Sequence, residues 1–231
     1  MAFKKLVAPS LTELFVNELE RMILSGNLHI GDKLPPERQL AEEMNVSLAV
    51  IHGGITRLTD LGFLHVVPRQ GVFVADYIRE GNMGTMKEIM EYSDGNLSGD
   101  LLEPITHFRR SLELLAARRA CENRTEESLA ILTEIAARAA RTGEIANLPE
   151  ICFEFHHEVA VASGNIYYPM ITQTFRPLYL VFYQMTLARS QQADIVKPLQ
   201  ELLTALERKD ADAAELLTNQ SIDNWMKSFQ K

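Results

Sequence analysis

Apolar positions recur at intervals of three and four from residue 11 to residue 25: Leu11, Leu14, Phe15, Leu19, Met22 and Ile23, interrupted by Glu18. That period predicts an amphipathic helix, and Ser10 followed by Glu13 is a capping-box pair placed to start it. Gly26 suits a left-handed stop. In the next stretch Gly31-Asp32 reads as a turn, Pro36 fits the first turn of a short helix reaching about Met44, and Asn45 breaks it. Ser47 then caps a third helix that carries Ile51, Ile55, Leu58 and Leu61 on one face and ends before Gly62. From there the period shortens to two. Phe63 to Val67 and Val72 to Ala75 read as strands joined by Pro68-Arg69-Gln70-Gly71, the composition of a hairpin. Three helices and a hairpin predict a winged helix-turn-helix domain over residues 1–77.

The segment 78–88 holds two glycines and little apolar order, and reads as a linker. Beyond it the helical period returns in runs over 101–123, 126–146, 150–165, 167–190 and 197–230, separated by polar breaks. The fold class is therefore mainly α, an N-terminal winged helix-turn-helix domain followed over 89–231 by a bundle of six or seven helices.

Composition narrows the function classes. A chain of 231 residues, 46% of them hydrophobic, can bury a core without staples. Cys121 and Cys152 lie inside apolar helical patterns, which favours buried free thiols in a reducing compartment. No apolar run reaches the roughly 18 residues of a membrane span, and MAFKKLVAPS lacks the apolar core of a signal peptide. A cytoplasmic protein without a membrane partner is expected. The net charge of −8 is spread over both parts, with seven Lys/Arg against nine Asp/Glu in residues 1–77 and sixteen against twenty-two thereafter. Any contact with nucleic acid must come from a local positive patch.

Residues 11–74 resemble the GntR family of bacterial regulators, with Gly26, Gly31, Leu34, Pro35, Glu37, Arg38, Leu40, Ala41, Val46, Ser47, Leu58, Gly62, Gly71 and Val74 in register with its pattern. The order of FRRSLELLAARRA, FHHEVAVASGN and LLTALERKDADAAELL in the helical part is similar to the ligand-sensing domain of the FadR subfamily. The resemblance implies a homodimer on a double-stranded DNA operator, with a small organic anion as effector. It also exposes a departure. The third helix of the family begins Ser-Arg-Thr-Thr and carries a second Arg, whereas this chain has Ser47, Leu48, Ala49 and Val50, with His52 at the second Arg position. Arg38 matches a DNA-contacting position of the family. With Ser47, Ala49, His52, Arg57 and the wing residues Arg69, Gln70 and Gly71, it forms the candidate DNA-binding set. The alternatives are an ion pair of Arg38 with Glu42, and a sensor or scaffold whose DNA binding has decayed.

Metal-bearing members of the subfamily supply an Asp, a His four residues on, and two later histidines. The matching positions here are Cys152, His156, Leu199 and Ser221, too few ligands to close a site, so neither a metal nor another cofactor is expected. A site rebuilt from Cys152, His156 and His107 or His157 is one alternative, and a thiol–imidazole nucleophile pair in a helical enzyme is another. No catalytic residue is assigned. The expected effector site comprises Arg109, His156, Asn165, Tyr183, Ser221 and Trp225. Arg109 could instead pair with Glu113 on its own helix, and Asn165 could cap the next one. Phe175, Tyr179, Phe182, Tyr183 and Met185 are candidates for an apolar lining or for plain core.

Overall fold

In a computed structural model residues 8–92 and 102–229 are described. The stretch 1–7, within the segment read for a leader, and the junction 93–101 lie outside the described residues. The chain divides into two compact units, Met1–Ser93 and Asp94–Lys231.

In the first unit α1 (Leu11–Leu24) starts at the expected capping box. The Glu13 amide donates to Ser10 Oγ at 3.1 Å and the Ser10 amide to Glu13 Oε2 at 2.7 Å. α2 (Glu37–Glu43) follows Pro36, and α3 (Leu48–Asp60) is capped by Ser47, whose Oγ accepts from the Val50 amide at 3.3 Å. Phe15, Val16, Leu19 and Ile23 of α1 pack with Ile51, Ile55 and Leu58 of α3 in one buried cluster. The two helices approach closely at Gly54, where an added Cβ would lie 2.1 Å from Phe15 Cδ1. That is why a residue of poor helix propensity sits mid-helix. β1 (Leu64–Val67) and β2 (Gly71–Val74) pair antiparallel with Leu64 opposite Val74. The wing turn places Arg69 at φ 66° and Gly71 at φ 125°.

Two features were not expected. The connection between α1 and α2 runs beside β2, where the Leu34 amide donates to Val72 O and the Val74 amide to Asp32 O, each at 2.9 Å. The second concerns residues 78–88, expected as a linker, which contain the start of α4 (Met83–Tyr92). Asn82 fixes this start. Its Oδ1 accepts from the Gly84 amide at 2.7 Å, its Nδ2 donates to Asp60 O at 2.9 Å, and the Thr85 hydroxyl donates to Leu61 O. α4 belongs to the first unit, because these bonds and the buried Met90 outweigh the low hydropathy that suggested a linker.

The second unit holds seven α-helices among the described residues: α5 (Leu102–Asn123), α6 (Glu126–Arg141), α7 (Leu148–Ala162), α8 (Tyr167–Thr174), α9 (Arg176–Leu187), α10 (Gln192–Arg208) and α11 (Ala211–Phe229). The run 167–190 breaks at Phe175, with Pro177 in the first turn of α9, and the run 197–230 breaks at Lys209, held at φ 55°. α7 contributes Cys152, Phe155 and Val159 to a core with Leu132 and Ala136 of α6, Ala117 and Ala120 of α5, and Leu199, Leu202 and Leu206 of α10. Each large side chain buried in this way contributes about 1.5–3 kcal/mol.

Candidate nucleic-acid interface and ligand cavity

α2 and α3 form the expected helix-turn-helix, and the candidate DNA-binding side chains lie on its surface and on the wing turn. Arg38, Ser47, Ala49, His52, Arg57, Arg69 and Gln70 are exposed. Among the described residues no ion pair joins Arg38 to Glu42, so its guanidinium stays in water, where a phosphate can take it at little desolvation cost. His52 Nδ1 lies 3.4 Å from the Glu37 carboxylate, which ties the start of α2 to the outer face of α3. Arg57 stands five residues after His52, about 140° further round the helix. Its charge acts on Glu13 and Glu20 of α1. At the wing, a Cβ on Gly71 would lie 3.0 Å from Lys33 Cε, so the glycine serves both its positive φ and a close approach.

The second unit contains a cavity of about 380 Å³ between α5, α9, α10 and α11. Arg109, Tyr183, Ser221 and Trp225 line it, together with Phe182, whose ring centroid lies 3.9 Å from that of Trp225. Four of the six expected effector residues are thus brought together. His156 stands one contact behind, its Nε2 2.6 Å from the Tyr183 hydroxyl. Asn165 does not reach the cavity. Its Oδ1 accepts from the Tyr167 amide at 3.0 Å, shaping the turn between α7 and α8.

Sequence reasoning missed the far wall, which α10 and α11 supply through Asp194, Lys197, Glu201 and Asn224. The signal was present, because 194, 197 and 201 recur at helical spacing on one polar face beside the apolar stripe of α10. It also missed the depth of the network around Arg109. The guanidinium donates through Nε to Glu113, four residues on, and lies 4.1 Å from the Tyr179 ring centroid. The Tyr179 hydroxyl donates to the same carboxylate, and His156 Nδ1 stands 3.6 Å from its other oxygen. Burial alone would push the Glu113 carboxyl up, but Arg109 and His156 with the Tyr179 hydrogen bond hold it below the usual carboxylate range. Burial pulls His156 down to about 4, so the ring is neutral near pH 7. A carboxylate facing Nδ1 favours the proton there, leaving Nε2 to accept from the Tyr183 hydroxyl. Arg109 is therefore already paired inside the bundle, and the ion pair with Glu113 is its first role.

Cys152 is fully buried, and burial raises its thiol far above the ordinary value, which removes the thiolate that a nucleophile needs. Phe175 and Tyr179 belong to the core, Phe175 stacking on Phe108 at 5.3 Å. Of the four positions that match the subfamily's metal ligands, Leu199 is core and Ser221 lines the cavity. Among the described residues no three His, Cys, Asp or Glu side chains gather as a ligand set, and no helix is long and apolar enough to cross a membrane.

The pattern of bacterial regulatory proteins of the gntR family matches residues 11–74, and that of the FCD domain matches residues 104–224. The chain belongs to the GntR family. It is a transcriptional regulator with a DNA-binding winged helix and an FCD ligand-binding domain, not an enzyme. Similar proteins include a fatty acid metabolism regulator protein of Shewanella pealeana, 24% identical over 88% of this chain and 84% of the relative. The Uxu operon transcriptional regulator of Escherichia coli is 24% identical over 88% of this chain and 80% of its own, and the Exu regulon transcriptional regulator of the same organism 27% over 90% and 80%. Lar, which controls the expression of the Listeria monocytogenes agr system, shares the fold with a TM-score of 0.62 at 17% identity, covering 97% of this chain and 99% of its own.

Proposed function

We propose that this GntR regulator is a cytoplasmic homodimer whose winged helices bind a palindromic operator and release it when an organic acid with a sizeable apolar body enters the helical domain. Palindromy follows from two-fold symmetry, since identical reading helices require inverted half-sites. The DNA set is Arg38, Ser47, Ala49, His52, Arg57, Arg69, Gln70 and Gly71, with Arg38 and Arg69 on phosphate.

The observation that carries the effector reading is the cavity, in the size range of small-molecule sites, with a guanidinium on its wall and the Phe182–Trp225 ring pair beside it. Because Glu113 already neutralises Arg109, the site offers an acid hydrogen bonds without a net positive field. Lys197 adds no positive field, because Glu201 at 3.7 Å and Asp194 on the same wall leave that wall with one net negative charge. A multiply charged ligand would lose hydration that nothing here replaces. One carboxylate on an acyl chain fits, and burial of the chain carries most of the affinity. That direction agrees with a fatty acid metabolism regulator among the relatives.

Thermal shift tests this reading. Fatty acids or acyl-CoA should raise the melting temperature by mass action, and Ser221→Phe, which fills the cavity, should abolish the shift while the protein stays folded. A shift from citrate or sugar acids alone, with acyl compounds inert, would contradict it.

A further inference from the structure

We propose that the outer face of α3 reads the operator through the C5 methyl groups of thymine, with Leu48, Ala49 and the methyl of Thr56 as the contacts. This inference rests on the DNA-binding reading above. At about 100° per residue, Ala49, His52 and Thr56 share the face of α3 turned away from the buried Ile51, Ile55 and Leu58, with the exposed Arg57 at its far edge. Leu48 lies nearer the Ile55 side and is exposed because it is the first residue of the helix. Leu48 is 45% exposed in the first helical turn, and Ala49 and Thr56 are exposed beside it. A single exposed leucine means little. The composition of the whole face means more. The Thr56 hydroxyl is turned back on its own helix, donating to His52 O at 2.9 Å, which leaves its methyl to face outward. His52, the remaining polar ring, stands against Glu37.

From Leu48 to Thr56, α3 therefore holds no guanidinium or amide fork for the bidentate recognition of guanine or adenine in the major groove, the nearest being Arg57 in the last turn. The thymine methyl is the base-edge feature of that groove that an apolar surface complements, and each one covered is removed from water. Arg38, next in sequence to Glu37, stays exposed to hold the phosphate that positions the helix. Register comes from the basic rim and sequence from the methyls.

The test uses the full-length protein. It first selects duplexes from a random double-stranded DNA library at low salt, then replaces each enriched thymine by deoxyuridine, which removes the methyl and nothing else. The enriched half-site should contain thymines whose replacement weakens binding about three- to five-fold each, the worth of one buried methyl. Leu48→Ser, at an exposed position, should keep the fold by circular dichroism and lose the methyl effect at one thymine of the half-site, leaving those covered by Ala49 and Thr56. An enriched site bound equally well with uracil throughout, or lacking thymine, overturns the methyl reading and leaves DNA binding standing. A library that yields no enriched sequence overturns both.

Discussion

The two units treat charge in opposite ways. In the first unit, Arg38 on α2 and Arg69 on the wing turn stand in water, and Leu48 and Ala49 at the start of α3 are exposed as well. Inside the bundle, Arg109, Glu113 and His156 are buried together with Tyr179 and Tyr183 closing their hydrogen bonds. A charge left in water is cheap to keep and free for a partner. One taken into the core must be neutralised by the fold itself before any ligand arrives. The same residue type, arginine, is thus an available phosphate contact in one unit and a structural element in the other.

The comparison breaks most visibly at Glu113. Glu113→Ala leaves the Arg109 guanidinium buried without its carboxylate, and should cost about 3–5 kcal/mol, read as a lower midpoint in urea denaturation. If the variant unfolds like the wild type, the pair is not what anchors Arg109. The next effect contrasts two neighbours on α3. Gly54→Ala drives a methyl into the Phe15 ring and should destabilise by about 1–3 kcal/mol. Gly53→Ala, whose Cβ meets only Thr12 Cγ2 at 3.7 Å, should be stabilising by up to about 1 kcal/mol. Equal effects of the two substitutions would refute the close approach of α1 and α3.

A smaller effect concerns the one buried acid of the first unit's α1. Glu20 lies among Glu88 and Glu91 of α4 and Arg57 of α3, and burial, reinforced by Glu88, raises its carboxyl to about 7. A carboxyl whose folded pKa lies above its unfolded value holds its proton more tightly in the native state. Its contribution is intact below about pH 4.5 and is lost as pH rises through 7. Glu20→Gln should therefore stabilise the protein at pH 8, by on the order of 1–2 kcal/mol, and leave it nearly unchanged at pH 4. A gain that does not depend on pH would remove the titration from the account.

Much of this was legible in the sequence where a signal is local. The Ser10–Glu13 box, the Ser47 cap, the glycine stop after α1 and the period-two hairpin each depend on residues within a few positions, and each element formed where its pattern placed it. Long-range pairings were not. α4 looked like a linker because the bonds of Asn82 and Thr85 to Asp60 and Leu61 have no sequence pattern, and the pairing of the α1–α2 connection with β2 has none either. In the bundle, helical spacing showed that Glu113 can reach Arg109. Only tertiary packing brings Tyr179, His156 and Tyr183 to the same carboxylate, and this turned an expected free anchor into a satisfied one.

The central claim is that the exposed arginines of the first unit hold DNA while the chain as a whole is acidic. It is tested most directly by measuring the salt dependence of duplex binding for the wild type, Arg38→Ala and Arg69→Ala. Each substitution should weaken binding to every sequence alike, lower the slope of log K against log salt by about 1, and leave the melting temperature unchanged. Wild-type affinity and slope in both variants would contradict the account.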